Sequence, residues 1–296
     1  MSDYGIPYMG SKAKIAPSLC MMLPKATHFY DLFGGGFSMT HCMLERFPHK
    51  YSNFHYNEIK SDVVDLVKRA ISGEFNYDVF KPAWVSREYF FAKKDSDAYI
   101  RCLWSFGNNQ RTYLFGGIEA YKRSSHQAVV FDEFDEAAIK VLGFDRWPKV
   151  VKTIKQRRIY WRQKVAFNSN GMKRGDLQQL ERLEQLQQSE QLERFQQLSF
   201  YAKSYDEVYI LPSSVVYCDI PYEGVRDYGK FDRKKFLDWA ASRDFPVYIS
   251  EYNISDNRFK NVYSIDKRSM LKGSLKGNRN KSEKLYWNGE TASLLS

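Results

Sequence analysis

The chain has 296 residues, a formal net charge of +10 and 43% apolar residues. Its length suffices for one large domain or for a domain with a substantial insertion, and its charge is typical of proteins that bind a polyanion such as nucleic acid. No C-x-x-C pair occurs among the four cysteines, so we predict neither a disulfide framework nor a metal site. The sequence also lacks an apolar signal core and an apolar run of about 18 residues, so it predicts no secretion signal and no membrane span.

The N-terminal part of the chain alternates between strand and helix patterns. An apolar strand over residues 28–33 is followed by the turn at residues 34–36 and by helical spacing over residues 37–47. A second strand over residues 54–58 leads into a helix over residues 61–71, with Ser61 as its predicted N-cap. This alternation predicts a parallel sheet with right-handed crossovers.

The middle of the chain, residues 75–200, lacks this alternation and is rich in aromatic and charged residues. We predict that it is mostly helical and is inserted into the sheet domain. Further along, the alternating pattern returns, so the sheet should be assembled from both ends of the chain. The predicted elements there are strands 215–218 and 245–250, helix 232–243 with Asp232 as its cap, and a closing antiparallel pair at 262–265 and 284–287.

Residues 177–200 form a low-complexity segment in which a leucine or phenylalanine begins nearly every triplet. Its composition favours a helix. A period of three does not match about 3.6 residues per turn, so the apolar stripe would drift backward by about 60° per triplet. Three interpretations stay open: a tolerated surface helix, a lever or partner surface tied to nucleic-acid recognition, and a non-α winding.

Glycines directly follow the first strand in the segment DLFGGG, residues 31–36. Such a turn allows the backbone to approach a ligand closely, and the N-terminus of the next helix attracts an anionic group. Glu58 lies at the end of the second strand, where an acid accepts hydrogen bonds from ribose hydroxyls in nucleotide-binding α/β folds. Together the two features predict a ligand that contains adenosine. An ordinary tight turn and a helix-capping acid are the alternatives.

Residues 215–224 read VVYCDIPYEG, an apolar strand that ends in an acid. Burying an unpaired carboxylate is costly, so an acid at the tip of a buried strand indicates a function. The tetrapeptide Asp219-Ile220-Pro221-Tyr222 resembles the Asp-Pro-Pro-Tyr signature of the DNA N6-adenine methyltransferases that use S-adenosylmethionine and carry their glycine motif before the catalytic one. Ile220 departs from that signature, which puts the rate in question more than the type of reaction.

Other signatures of this family occur in the same order: segment 8–15, the glycine motif, Asn57-Glu58, the tetrapeptide, Ser250, and a C-terminal hairpin with Arg268, Arg279 and Glu283. The resemblance covers residues 5–70 and 200–290. It implies an α/β fold, with a Rossmann-like sheet for S-adenosylmethionine-dependent methyl transfer and an inserted, mostly helical DNA-recognition domain.

The resemblance implies that residues 1–72 and 201–296 form the catalytic domain and that residues 73–200 form the inserted target-recognition domain. It also implies that S-adenosylmethionine is the cofactor. Its predicted contacts are Tyr8, Lys12, Asp31, Phe33, Gly34, Gly35, Gly36, Glu58, Ser204, Tyr205 and Asp219.

For catalysis, the resemblance implies that the tetrapeptide acts on an adenine extruded from the duplex. Asp219 and the backbone carbonyl of Ile220 would accept the two N–H bonds of the amine, so that its lone pair points at the sulfonium methyl group. Pro221 would orient that carbonyl, and Tyr222 would stack on the base. No cysteine is placed by motif as a nucleophile, so we expect direct methyl transfer.

Two segments of the middle region are candidates for DNA contact. Residues 149–174 contain nine Lys or Arg and no acid, interleaved with aromatic side chains, which suits phosphate contact and stacking; the alternative is a solvated helix face. Residues 104–111 form a polar loop that could read an adenine edge, line the target pocket or be a structural turn. The predicted DNA contacts are Lys155, Arg157, Arg158, Asn108, Asn109, Arg111, Tyr160 and Trp161.

We therefore expect an enzyme that methylates N6 of adenine in double-stranded DNA without a metal or a membrane. We expect it to act as a monomer or weak dimer in the cytoplasm of a bacterial or phage-infected cell. Methylation of cytosine N4 in DNA is the enzymatic alternative, because the same two acceptors suit any exocyclic amine. A DNA-binding protein with a degenerate cofactor site is the other alternative, prompted by Ile220 and Glu58.

Overall fold

The computed structural model describes residues 4–76, 80–116, 119–168, 195–221, 231–266 and 282–289. The chain divides into two compact units. The first unit contains residues 1–11 and 65–190, and the second contains residues 12–64 and 191–296. All the described strands belong to the second unit. The assignment of residues 73–200 to DNA recognition stays a prediction.

The second unit is built on one mixed sheet. Its strands are β1 (His28–Asp31), β2 (Asn53–Asn57), β3 (Leu198–Tyr201), β4 (Ser214–Cys218), β5 (Val247–Glu251), β6 (Lys260–Asp266) and β7 (Ser282–Trp287). Seven strands follow the order β3-β2-β1-β4-β5-β7-β6. The first five pair in parallel, and β7 runs antiparallel between β5 and β6. The predicted parallel strands and the closing antiparallel pair are confirmed, and the mixed α/β architecture is consistent with a methyltransferase fold.

The central strands β1 and β4 position the residues on which the site depends. Strand β4 is buried along its whole length, as its near-continuous apolar sequence predicts for a strand covered on both faces. Its register against β1 pairs Asp31 with Tyr217. The carboxyl ends of both strands, and with them Asp31 and Asp219, therefore lie at the same edge of the sheet.

Strand β3 was not predicted, because residues 198–200 fall in the low-complexity segment, whose composition favours a helix. In the structure, Leu198–Tyr201 pairs in parallel with residues 54–57 of β2. Pairing with a distant strand overrides the local helix propensity here, because that propensity depends only on residues nearby in the sequence. Most of the low-complexity segment, residues 177–194, lies outside the described residues.

The described helices of the whole chain are α1 (Ala16–Met22), α2 (Ser38–Arg46), α3 (Ser61–Ile71), α4 (Arg87–Lys93), α5 (Ala98–Leu103), α6 (Glu119–His126), α7 (Glu136–Leu142), α8 (Ile154–Asn168) and α9 (Arg233–Ala241). Asp232 caps α9 as predicted, since its carboxylate accepts the N–H of Lys235 at 2.9 Å. Ser61 is the first residue of α3 rather than its N-cap, a shift of one position. Among the described helices, none has both the length and the apolar character needed to cross a lipid bilayer.

The first unit has an aromatic core. Trp84 stacks on Phe115 at 5.2 Å and meets Trp104 edge-on at 5.4 Å. His126 lies against both tryptophans and its ring contacts the carbonyl of Pro82 at 2.8 Å. This packing accounts for much of the aromatic content of the middle region, because aromatic side chains bury large areas in specific geometries.

Candidate active site

Several carboxylates lie at the carboxyl edge of the sheet in the second unit, and four of them bear on the site. Asp31 ends β1, Glu58 follows β2 and Asp219 follows β4. Glu283 reaches this edge from the opposite direction, because β7 is antiparallel and pairs Glu251 with the residue after Glu283. The carboxyl edge of a parallel sheet is where α/β folds bind their ligands.

Asp219 is bonded to Lys12 from the other end of the chain. The Lys12 ammonium donates to both oxygens of Asp219, at 2.6 and 2.7 Å. Burial alone would lower the pKa of Lys12, but the negative charges of Asp219 and Glu283 outweigh it and raise the pKa above the usual value. Lys12 was predicted as a cofactor contact; the structure places its ammonium on the predicted catalytic acid.

Glu283 is the second carboxylate beside Lys12. Its Oε1 lies 3.6 Å from the Lys12 ammonium and accepts the Ser250 hydroxyl at 2.7 Å. The Glu283 and Ser250 side chains are fully buried, whereas the Asp219 side chain keeps 21% of its surface exposed. Of the two carboxylates, Asp219 is therefore the one that a ligand can reach.

Asp31 is a buried acid with one oxygen left unsatisfied. The Thr40 hydroxyl donates to its Oδ2 at 2.8 Å, while Oδ1 has no hydrogen-bond partner among the described residues. Burial raises the pKa of Asp31 from 3.8 to about 7, and the charges of Asp219 and Glu58 act in the same direction. Buried polar atoms are normally paired, so this oxygen suits a ligand that brings a donor or a positive charge.

Three hydrogen bonds tie the glycine turn to β2 and its end. Gly34 N–H donates to the carbonyl of Asn57 at 2.8 Å, the Tyr56 hydroxyl donates to the carbonyl of Gly35 at 2.7 Å, and Gly35 N–H donates to Glu58 at 3.0 Å. A Cβ on Gly34 would lie 2.2 Å from the Tyr56 ring. The missing side chain of Gly34 thus leaves room for Tyr56, and a contact of Gly34 with the cofactor stays a prediction. Gly35 has a φ of +47°, a value that favours glycine.

Glu58 fixes this turn in the structure. Its second oxygen accepts the N–H of Lys60 at 3.2 Å, and the side chain is largely buried. Burial raises the pKa of Glu58, and the two backbone hydrogen bonds oppose that rise. A carboxylate has about four acceptor positions, so a contact with a ribose hydroxyl stays a prediction.

An aromatic wall stands beside the end of β1. Phe33 stacks on Tyr205 at 5.6 Å with an angle of 25° between the rings, and Phe236 meets both edge-on. Ser204 and Glu207 hold the turn that carries Tyr205 through reciprocal side-chain and backbone hydrogen bonds. Phe33, Ser204 and Tyr205 are all partly exposed, and Gly36 is buried in the same turn as Gly35.

The second residue of the tetrapeptide lies in the core. Ile220 is 2% exposed and packs in the same apolar cluster as Leu32 and Val216, so its side chain has a packing role. Burial raises the pKa of the neighbouring Cys218 thiol well above its usual value, which disfavours the thiolate that a nucleophile would need. Pro221 is partly exposed, and Tyr222 lies outside the described residues. Tyr8 belongs to the first unit, and its role stays a prediction.

Helix α8 corrects part of the predicted DNA-contact set. Arg158 and Trp161 are buried at 4% exposure, so they pack within the first unit and do not present themselves to a phosphate or a base. Arg157 is paired with Asp132 at 3.2 Å, and Tyr160 is half-buried. Lys155 is exposed. Both residues were predicted as DNA contacts, but a helix in a folded protein turns one of its faces towards the core. The exposed cations of α8 and the segment before it are Lys149, Lys152, Lys155 and Arg162.

The polar loop is a tight turn closed by the bridge between Ser105 and Tyr113. The Asn109 side chain accepts the N–H groups of Arg111 and Thr112 at 2.9 and 3.0 Å and donates to the Thr112 hydroxyl at 2.6 Å. Its amide is thus occupied within the turn, which contradicts base reading by Asn109 in this conformation. Asn108 is partly exposed, and Arg111 is exposed.

Sequence reasoning missed the roles of Thr40, Ser250 and Glu283 in holding charged groups at this site. In the sequence, only the family resemblance pointed to Glu283. Nothing pointed to Thr40 except its position about one turn into a predicted helix. Among the described residues, no group of three or more His, Cys, Asp or Glu side chains is placed to hold a metal ion.

The site can be compared with known proteins. No curated protein matches the chain. The family model described as D12 class N6 adenine-specific DNA methyltransferase matches residues 8–264, which include the glycine turn, Asp219 and β5. The chain therefore belongs to the D12 class of N6 adenine-specific DNA methyltransferases.

Proposed function

We propose that this enzyme transfers a methyl group directly from S-adenosylmethionine to N6 of an adenine extruded from double-stranded DNA, with Asp219 as the principal acceptor. The observation that carries the proposal is the position of Asp219. It follows a buried central strand and remains partly exposed, and it lies two residues beyond Tyr217, the β4 residue that pairs with Asp31, a second acid with an unsatisfied oxygen.

The residues at the sheet edge fit the cofactor. S-adenosylmethionine supplies an electrophilic methyl group on a positively charged sulfur and also carries an ammonium group. Asp31, Glu58 and Asp219 lie close enough for the charges of the last two to raise the pKa of Asp31. A ligand with two positive charges would relieve that repulsion. Asp31 would bind the ammonium group of S-adenosylmethionine, and the turn at Gly35 would contact the amino-acid backbone of this ligand. Phe33 and Tyr205 would contact its flat rings.

The amine of adenine is a weak nucleophile, because its lone pair is delocalised into the ring. Asp219 and the backbone carbonyl of Ile220 would accept its two N–H bonds and turn the lone pair out of the ring plane. S-adenosylmethionine would supply the methyl group, and the Asp219 carboxylate would accept the N6 proton that the amine must lose. Burial of the Ile220 side chain holds the backbone that carries this carbonyl, which is the positioning that such a reaction needs.

The protein–DNA contact rests on the exposed cations of the first unit. Lys149, Lys152, Lys155 and Arg162 provide positive charge without base-specific donors, which suits contact with phosphates. The proposal of double-stranded DNA as the substrate rests on the family resemblance, which implies an extruded adenine, and a base must be extruded only when it starts inside a duplex. The proposal of a monomer or weak dimer also rests on the family resemblance.

The test is Asp219→Asn, with Asp238→Asn as the matched control. Asp238 is a half-exposed residue of α9 that pairs with Lys234 and Arg258, and such pairs contribute little. Single-turnover transfer of a labelled methyl group to unmethylated DNA should fall by at least about 100-fold for Asp219→Asn, as when one electrostatic contact to the reacting group is removed. Thermal unfolding must show that both variants fold. A folded Asp219→Asn variant with a rate within about tenfold of the wild type would refute the assignment.

A further inference from the structure

The Lys12 ammonium lies between two carboxylates of unequal reach. It contacts both Asp219 oxygens at 2.6 and 2.7 Å and stands 3.6 Å from Oε1 of Glu283. Only 1% of the Lys12 side chain is exposed, and Glu283 is fully buried. The Lys12, Asp219 and Glu283 side chains thus lie close together at a largely buried site. They carry one positive and two negative charges when all three are ionised.

This pairing conflicts with the proposed chemistry. Asp219 must accept the N6 amine of adenine, yet in this structure both of its oxygens accept the ammonium. A cation at such short distance also weakens Asp219 as an acceptor and as a base, because it stabilises the bare carboxylate. Lys12 must therefore withdraw from Asp219 as the base arrives.

A buried ammonium cannot withdraw without another anionic partner. Moving a charged group away from its counter-charge inside a protein is strongly unfavourable, and the burial of Lys12 denies it water. Glu283 is the neighbouring carboxylate that, together with Asp219, raises the pKa of Lys12. The distance of 3.6 Å needs to shorten by less than about 1 Å to reach the roughly 2.7–2.9 Å of a charge-assisted hydrogen bond.

Glu283 is also well placed to remain still during that movement. The Ser250 hydroxyl donates to its Oε1 at 2.7 Å, and β7 pairs with β5 on one side and β6 on the other. Lys12, by contrast, reaches the site through a long side chain from the segment before α1, and a small rotation of that side chain moves its tip. Of the three side chains, we therefore expect the lysine to be the one that moves.

We propose that Glu283 is a positioning residue that takes up the Lys12 ammonium when the adenine amine replaces it on Asp219. Before the base binds, Lys12 then occupies the position on Asp219 that the adenine amine takes later. The inference rests on the proposed role of Asp219. The exchange transfers no proton, since Lys12 stays an ammonium throughout, and it keeps Asp219 negative until the base is in place.

Glu283→Gln separates this role from a merely structural one. Glutamine keeps the shape of the side chain and can still accept the Ser250 hydroxyl, but it offers Lys12 no negative charge. The unliganded protein should keep its melting temperature or gain slightly, because the substitution removes one of two negative charges around one cation. The single-turnover rate should fall by about tenfold or more, whereas KM for DNA should stay within about twofold, since the loss concerns the reacting complex.

The matched control is Glu251→Gln, which removes a buried carboxylate from neighbouring strand β5. Glu251 is bonded to Arg233 at 2.6 Å, so this control measures how far a loss of stability alone lowers the rate. A fall in rate and melting temperature together for Glu283→Gln, as in the control, would make Glu283 structural and overturn the proposal. An unchanged rate in Glu283→Gln would also overturn it.

A double-mutant cycle with Lys12→Gln tests whether Glu283 acts through the lysine. In the Lys12→Gln background, Glu283→Gln should leave the rate unchanged or raise it, because no ammonium remains to be moved. An equal loss in both backgrounds would contradict the proposal, and so would an inactive Lys12→Gln variant, because Lys12 is required only to leave Asp219. Full activity of Asp219→Asn would instead show that the proposed function itself is wrong.

Discussion

Replacing Asp31 by asparagine should stabilise the unliganded protein at alkaline pH. Burial raises the pKa of this acid from 3.8 to about 7, so the folded protein binds a proton that the unfolded chain has already lost. Stability therefore falls as pH rises between these two values and stays reduced above about pH 7. The difference is about three pH units, and one unit corresponds to about 1.4 kcal/mol, so the ionised Asp31 costs about 4 kcal/mol at about pH 8.

The asparagine of the Asp31→Asn variant would be neutral at every pH and can still accept the Thr40 hydroxyl, so most of this cost should disappear. Urea unfolding at several pH values measures it. The variant should exceed the wild type by up to about 4 kcal/mol near pH 8 and lose that advantage progressively towards about pH 4. Asp238→Asn is the control, because its partners lower the pKa of Asp238 and any trend should have the opposite sign. A stability difference that does not change with pH would contradict the reasoning.

The same substitution should weaken the binding of the cofactor. If the unsatisfied Oδ1 of Asp31 receives a positively charged group of S-adenosylmethionine, the neutral amide gives up a charge-assisted hydrogen bond. Calorimetric titration should show an affinity lower by about tenfold or more, about 1.4 kcal/mol per factor of ten. A more stable variant with unchanged affinity would remove Asp31 from the cofactor site. A substitution that raises protein stability but weakens ligand binding is a common trade-off at functional sites.

Three further outcomes can be measured. Gly34→Ala should destabilise the protein by about 1–3 kcal/mol in urea unfolding, because the new methyl group would overlap the Tyr56 ring, and truncation of Tyr56 should relieve the loss. Ile220→Ala should lower the free energy of unfolding by about 2–5 kcal/mol through a core cavity, and Ile220→Pro should also cost stability, although the family signature alone suggests that proline is tolerated. Lys152→Gln with Lys155→Gln should flatten the dependence of log K on log salt by about 1.8 on any duplex, and an unchanged slope would return these exposed lysines to a solvated face.

The sequence by itself determined most of the order of strands and helices in the catalytic sheet, the glycine turn and the place of Asp219. These features depend on neighbours in the chain. The apolar run before Asp219 defines a buried strand, and Asp232 caps the next helix through a residue three positions away. Parallel strands align their carboxyl ends, so two strand-end acids could be placed at one edge before any contact was known.

Only the tertiary structure decided what those acids touch. Lys12 and Asp219 are 207 positions apart, and Glu283 joins them because β7 enters the sheet antiparallel. No periodicity in the sequence predicts such a contact, because the contact depends on how elements far apart in the chain pack together. The same reason explains why a basic run could not reveal that Arg158 is buried while Lys155 is exposed: the helical pattern marks which residues share a face, and the partner that covers that face comes from elsewhere in the fold.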